Sequence, residues 1–158
     1  MPAKQTGTGR RATPVDAIGL LKADHAKVSA LFEKYEHSRQ DSVKQRLAQQ
    51  ICDELTVHTK LEEEIFYPAV REAIGDDDLM DEATVEHAGA KSLISQLRAA
   101  EPSAKLFDAK VTVLSEYIKH HVKEEHTEMF PKARKSGADL KELGARMAAR
   151  KKVLAAAK

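Results

Sequence analysis

The amino-acid sequence predicts an all-α fold, an up-and-down antiparallel four-helix bundle with an extra basic helix at its C-terminal end. Three observations carry that prediction. Apolar residues recur at alternating spacings of three and four along four stretches, cap or breaker residues separate the stretches, and no segment alternates with the period of two that a strand requires. Helices of about 25 residues with short connections pack most simply as antiparallel neighbours. The 158 residues suit one domain with a sizeable core rather than two.

The first helix is expected to start at Thr13, where a hydroxyl cap is followed by Pro14 in the first turn and the acid Asp16. Its seam reads Ile18, Leu21, His25, Val28, Phe32 and Tyr35. Ser38 to Asp41 breaks the pattern, and Asp41 is a candidate cap for a second helix with the seam Leu47, Ile51, Glu54, His58, Leu61 and Ile65. Pro68 should kink or end that helix, and Gly75 followed by Asp76, Asp77 and Asp78 supplies a stop, a turn and a new cap. The third helix carries Met80, Ala83, His87, Ala90, Ile94 and Leu97, and stops at Glu101, Pro102 and Ser103. The fourth carries Phe107, Val111, Leu114, Ile118, His121 and Glu125 up to Pro131. The bundle is thus expected over residues 13–135. An alanine-rich basic helix or tail follows over 136–158, and residues 1–12 are expected to be a disordered basic lead.

Charge divides along the same lines. Residues 1–12 carry three positive charges and no negative ones, and residues 132–158 carry nine positive and two negative, so an acidic bundle lies between basic ends. No apolar run approaches the roughly 18 residues that would cross a membrane, and the first residues lack the apolar centre of a secretory signal. A cytoplasmic protein that does not enter the membrane is expected. Cys52 is the single cysteine, which excludes an internal disulfide and reads as a buried, inert thiol.

The chemistry lies in a repeat. His25 and His87 are 62 positions apart, while the pairs His58/His121, Glu62/Glu125 and Pro68/Pro131 are each 63 apart. One helical hairpin is therefore used twice, each copy offering an inward His from its first helix and an HxxxE pair from its second. Positions i and i+4 share a helix face, so His58 reaches the same space as Glu62, and His121 the same space as Glu125. A single seam histidine is usually a hydrogen-bonded core residue, but a charged Glu turned into a core costs several kcal/mol, about what pairing or a cation must supply. A metal gives one reason for all six of His25, His58, Glu62, His87, His121 and Glu125. Four imidazoles and two carboxylates are too nitrogen-rich for calcium or magnesium and lack the thiolates of many structural zinc sites. Six ligands suit two ions, with non-haem iron the leading choice and zinc or manganese as substitutes.

The pattern of His25, His58 with Glu62, His87, and His121 with Glu125, with the endings Phe66-Tyr67-Pro68 and Met129-Phe130-Pro131, resembles the hemerythrin-like, or HHE cation-binding, family from about Val15 to Arg134. The resemblance implies a four-helix bundle around two irons joined by an oxo or hydroxo bridge. His25 and His58 would lie mainly on one iron, His87 and His121 on the other, and Glu62 and Glu125 between them. Two departures set the chain apart from the oxygen carriers of the family: Lys91 stands where they have a further His, and Glu125 follows His121 by four residues rather than an Asp by five. Reversible oxygen carriage is therefore not the expected role.

Glu54 and Tyr117, each one turn before an HxxxE histidine, are candidate additional ligands, whereas Tyr35 and Tyr67 are read as packing residues. Asp24, Glu86 and Glu124 adjoin candidate ligands but are expected on solvated faces, and His37, His120 and His126 at the surface. The function expected is a diiron protein that binds or reacts with oxygen, peroxide or nitric oxide, with peroxide decomposition in stress defence as the favoured activity. The alternative is an iron- or oxygen-sensing module without turnover. The basic C-terminal helix is weighed as a contact for nucleic acid or an acidic protein and as a solubilising tail.

Overall fold

A computed structural model describes residues 16–157, which places the expected start at Thr13 and Pro14 and the basic lead of residues 1–12 outside the described residues. Helix α1 runs Ala17–Glu36 and α2 runs Asp41–Leu61. The second helix continues through a single π turn, Glu62–Phe66, into α3, Tyr67–Ile74. Helix α4 is Asp77–Arg98 and α5 is Phe107–Glu124, which continues through a second π turn, Glu125–Met129, into α6, Phe130–Lys135. Helix α7, Leu140–Ala156, closes the described chain. The result is four long rods and a fifth helix, with no strand among the described residues.

Local chemistry sets most boundaries. Asp16 caps α1 by accepting from the Gly19 amide at 2.8 Å, and Asp76 caps α4 by accepting from the Leu79 amide at 3.2 Å. Gly75 ends α3 in the left-handed region, φ 70°, where a Cβ would be strained. Asp41 does not cap the second helix as expected. It is the first helical residue, and the cap position is Gln40, whose side chain makes no capping bond.

Pro68 neither ends nor breaks its helix. The π turn before it lets the Tyr67 amide bond back to the Glu62 carbonyl, five residues earlier, and the helix runs on to Ile74. Pro131 is accommodated in the same way, with the Phe130 amide on the Glu125 carbonyl. Each π turn inserts one residue into the helical phase, so the seam expected at Ile65 moves to Phe66 and Tyr67, both buried, while Ile65 is half-buried.

Two apolar clusters result. One holds Leu21, Leu61, Phe66, Met80, Met129 and Phe130, and the other Val28, Ile51, Leu55, Ala90, Ile94 and Leu114. Along each rod the polar seam residue falls between members of the two clusters, as with Leu21, His25 and Val28 on α1 or Leu55, His58 and Leu61 on α2. Helix α7 packs on α1, α2 and the first π turn, with Leu143 and Met147 buried in the first cluster. Burying such side chains stabilises by about 1.5–3 kcal/mol each, so α7 is a packed element of the fold.

Candidate metal centre

The six residues singled out by the repeat meet in the layer between the two clusters. Among the described residues, one set of converging ligand atoms comes from His25, His58, Glu62 and Glu125, and a second from Glu62, His87 and His121. All six are buried, Glu62 and Glu125 completely.

The arrangement is paired. His25 Nε2 and His58 Nε2 are 3.2 Å apart, as are His87 Nε2 and His121 Nε2. Glu62 Oε1 lies 3.1 Å from His58 Nε2 and 3.2 Å from His87 Nε2, so it touches both pairs. Glu125 Oε1 does the same, at 3.2 Å from His121 Nε2 and 3.4 Å from His25 Nε2. Yet both oxygens of Glu62 and Oε1 of Glu125 are buried without a partner of hydrogen-bonding geometry. Buried carboxylate oxygens in that condition are expensive, and a cation is the partner that both the oxygens and the facing imidazole nitrogens accept. The donor set therefore fits a metal, and its division into two groups sharing Glu62 fits two.

Electrostatics point the same way. Burial alone would lower the His58 pKa, but the Glu62 charge and the bond to Asp24 lift it to about 10. His121 is likewise drawn down by burial and lifted to about 11 by Glu125 and Glu86. Glu62, although burial would raise it, is held well below the usual carboxylate range by His58, Glu125 and His87. The carboxylates thus demand positive charge in this layer, which protons or metal ions supply.

The outward nitrogens are also held. His58 Nδ1 donates to Asp24 Oδ2 at 3.1 Å and His121 Nδ1 to Glu86 Oε1 at 3.1 Å. His87 Nδ1 lies 3.2 Å from Glu63 Oε1, and His25 Nδ1 lies 2.9 Å from His126 Nε2. These four contacts follow the repeat: Asp24 and Glu86 precede the single histidines, while Glu63 and His126 follow the carboxylates. Asp24 and Glu86 are therefore not solvated as expected. A side chain next to a seam residue turns about 100° round its own helix and so reaches the histidine of a neighbouring helix. His126 is at the surface as expected, but its ring also closes over His25. Such partners fix ring orientation and tautomer at metal sites.

Tyr67 is the residue the sequence reading missed. Its hydroxyl lies 3.1 Å from His87 Nε2 and 2.9 Å from His121 Nε2, and donates to Glu125 Oε2 at 3.3 Å. Burial and the neighbouring charges of Glu125 and Glu62 push its pKa well up. The equivalent residue in the second half is Phe130, whose ring stacks on His25 at 6.1 Å and offers no oxygen. The two expected auxiliary residues do not join the cluster. The Glu54 carboxylate is taken by Lys27 at 2.8 Å, and Tyr117 is 46% exposed with its ring beside Gly89. Glu54 is half-buried and Tyr117 lines the small cavity beside the cluster, but neither brings an oxygen into the two converging sets.

Against the second cluster a cavity of about 20 Å³ separates the candidate ligands from Val28, Leu55, Ala90 and Ile118. That is about the size of one water or diatomic molecule.

A bundle of this kind with paired His and Glu sets defines a helical cation-binding protein. The chain belongs to the hemerythrin HHE cation-binding domain family, whose model matches residues 16–133. It is 34% identical over 111 residues to a protein named DNA nickase from Nostoc sp. strain PCC 7120. That match takes in 70% of this chain and 31% of the relative, so the chain spans about a third of that protein's length. The fold is also that of a crystal structure of a hemerythrin HHE cation-binding domain-containing protein from Mycobacterium kansasii, with TM-score 0.78 and 24% identity over 90% of this chain and 89% of that one.

Proposed function

We propose that the chain holds two iron ions between His25, His58, Glu62, His87, His121 and Glu125, and that it binds or reacts with oxygen, peroxide or nitric oxide. The observation that carries this reading is the double reach of Glu62 and Glu125, each within 3.4 Å of a histidine from both pairs, with buried oxygens that lack hydrogen-bond partners. A pair of irons, joined by an oxo or hydroxo bridge, supplies two-electron exchange with a bound small molecule, and zinc or manganese would fill the same donors without the same redox range.

The chain's own groups provide the rest. Asp24, Glu63, Glu86 and His126 fix the ligand rings. The apolar layer of Val28, Leu55 and Ala90 limits water at the cavity. Tyr67 presents an oxygen to the His87/His121 position, while Phe130 offers none to the His25/His58 position, so the two positions differ in the kind of protein donor they carry. An asymmetric centre beside a cavity that admits one small molecule favours turnover over storage, and peroxide is the substrate class we favour. Iron-loaded protein should then consume peroxide catalytically, with many turnovers per chain. Loss of one equivalent or none would leave a binding or sensing module instead.

That second reading has its own support, because α7 touches residues next to the candidate ligands and offers a route from occupancy to surface. The name of the Nostoc relative raises DNA as a substrate. Against it, Lys132, Arg134, Arg150 and Lys151 pair with Asp76, Asp16, Glu64 and Asp24, so much of the basic C-terminal charge neutralises the chain's own acidic bundle. No described helix is long and apolar enough to cross a membrane, and a buried Cys52 with its pKa pushed by burial to about 11 suits the cytoplasmic setting expected for this function.

A further inference from the structure

The outer partners of the candidate ligands differ in one respect that the repeat does not predict. His58 Nδ1 donates to one oxygen of Asp24, and the other oxygen of Asp24 accepts from Lys151 Nζ on α7. Asp24 is 5% exposed, so its carboxylate is placed by these partners rather than by bulk water. The next residue back, Arg150, forks onto Glu64 at 2.8 and 3.2 Å, two positions after Glu62. Successive basic residues of the fifth helix therefore grip the chain just before His25 and just after Glu62.

The other half is built differently. Glu86, which holds His121, is joined by His120 from the same hairpin at 3.5 Å, and Glu63, which holds His87, is joined by Lys91 of α4 at 2.7 Å. The backing of His87 and His121 is thus supplied from within the bundle, whereas that of His58 depends on α7.

We propose that Lys151 is a positioning residue for the His25/His58 metal position, and that docking of α7 is coupled to occupancy of that position in preference to the other. The inference rests on the two-ion reading above. An imidazole that ligates through Nε2 needs its Nδ1–H held in plane, and loss of such support typically costs 10–100-fold in metal affinity. Without Lys151, Asp24 keeps its acceptor role towards His58 but loses the contact that fixes its orientation. Linkage runs both ways: an ion that fixes the His58 ring also fixes Asp24 where Lys151 meets it, so occupancy tightens α7 as α7 tightens occupancy. The surface end of α7 would then report the state of one buried position.

The test is metal release. Protein loaded with two irons per chain is challenged with a chelator, and release is followed for the full chain, Lys151→Met, Lys151→Arg and the exposed control Lys152→Met. Lys151→Met should release one ion at least about tenfold faster while the second leaves at the wild-type rate, with Lys151→Arg largely restoring retention and Lys152→Met unchanged. Release of both ions at wild-type rates, or of both faster together, overturns the proposal, the latter by marking Lys151 as a general stabiliser. A wild-type chain that never holds two ions overturns the two-ion reading instead. Should Lys151→Met not fold, amide exchange in the wild-type chain decides: loading must slow exchange around Arg150 and Lys151, and no change there overturns the coupling.

Discussion

Tyr67 and Phe130 occupy equivalent positions in the two halves of the repeat, yet Tyr67 sets an oxygen 2.9 Å from His121 Nε2 while Phe130 stacks its ring on His25. The two candidate metal positions are therefore unlike. Iron(III) near the Tyr67 oxygen would favour the phenolate despite the raised pKa of the free phenol, because a cation reverses the effect of the surrounding carboxylates. Ferric protein should then show a phenolate-to-iron absorption band in the visible, and Tyr67→Phe should remove it while retaining about two irons. A spectrum unaltered by Tyr67→Phe would place the phenol outside the coordination of either ion.

Metal loading should release protons. His58 and His121, with pKa values lifted to about 10 and about 11, carry protons at neutral pH until a metal takes their place. In the unloaded chain, the stability contributed by these raised groups is fully present below the ordinary value of 6.5 and is lost as pH rises through 10 to 11. Metal affinity has the opposite slope and weakens with acid. Calorimetry of loading in buffers of different ionisation enthalpy should give on the order of one to two protons released per chain. Proton uptake, or none exchanged, would contradict the charge assignment.

Helix α7 should matter to stability through its apolar face as well as its charges. Met147 is fully buried in the cluster with Leu21, Leu61 and Phe66. Met147→Ala should lower the urea-unfolding free energy by about 2–5 kcal/mol, whereas a change at exposed Val153 should cost within about 0.5 kcal/mol. Equal effects at the two positions would mean that α7 is not part of the core.

The bundle and the six converging residues were legible because both rest on helical period. Seam residues three and four apart must face one way, and a repeat of 62 to 63 positions aligns the two halves. Tyr67 was not legible, because its inward turn depends on the π turn at Glu62–Phe66, which shifts the phase of every later residue by one. Asp24 and Glu86 escaped for another reason. Each lies off the seam of its own helix and acts on a histidine of the next, a relationship set by packing rather than by period. Glu54 and Tyr117 are equivalent one turn before His58 and His121, yet Lys27 pairs with the first, and the second lines the neighbouring cavity without entering either converging set.

The central claim is that Glu62 and Glu125 each serve both histidine pairs. Glu62→Gln and Glu125→Gln keep shape and volume but remove the charge and half the acceptor capacity. The most direct measurement is therefore the metal content per chain of wild type and both variants after identical iron loading, with circular dichroism confirming helix content. The account predicts about two irons in the wild type and fewer than about one in either variant, since each carboxylate reaches both sets of donors. Full occupancy in both variants, or a folded wild-type chain that takes up no metal, would contradict it.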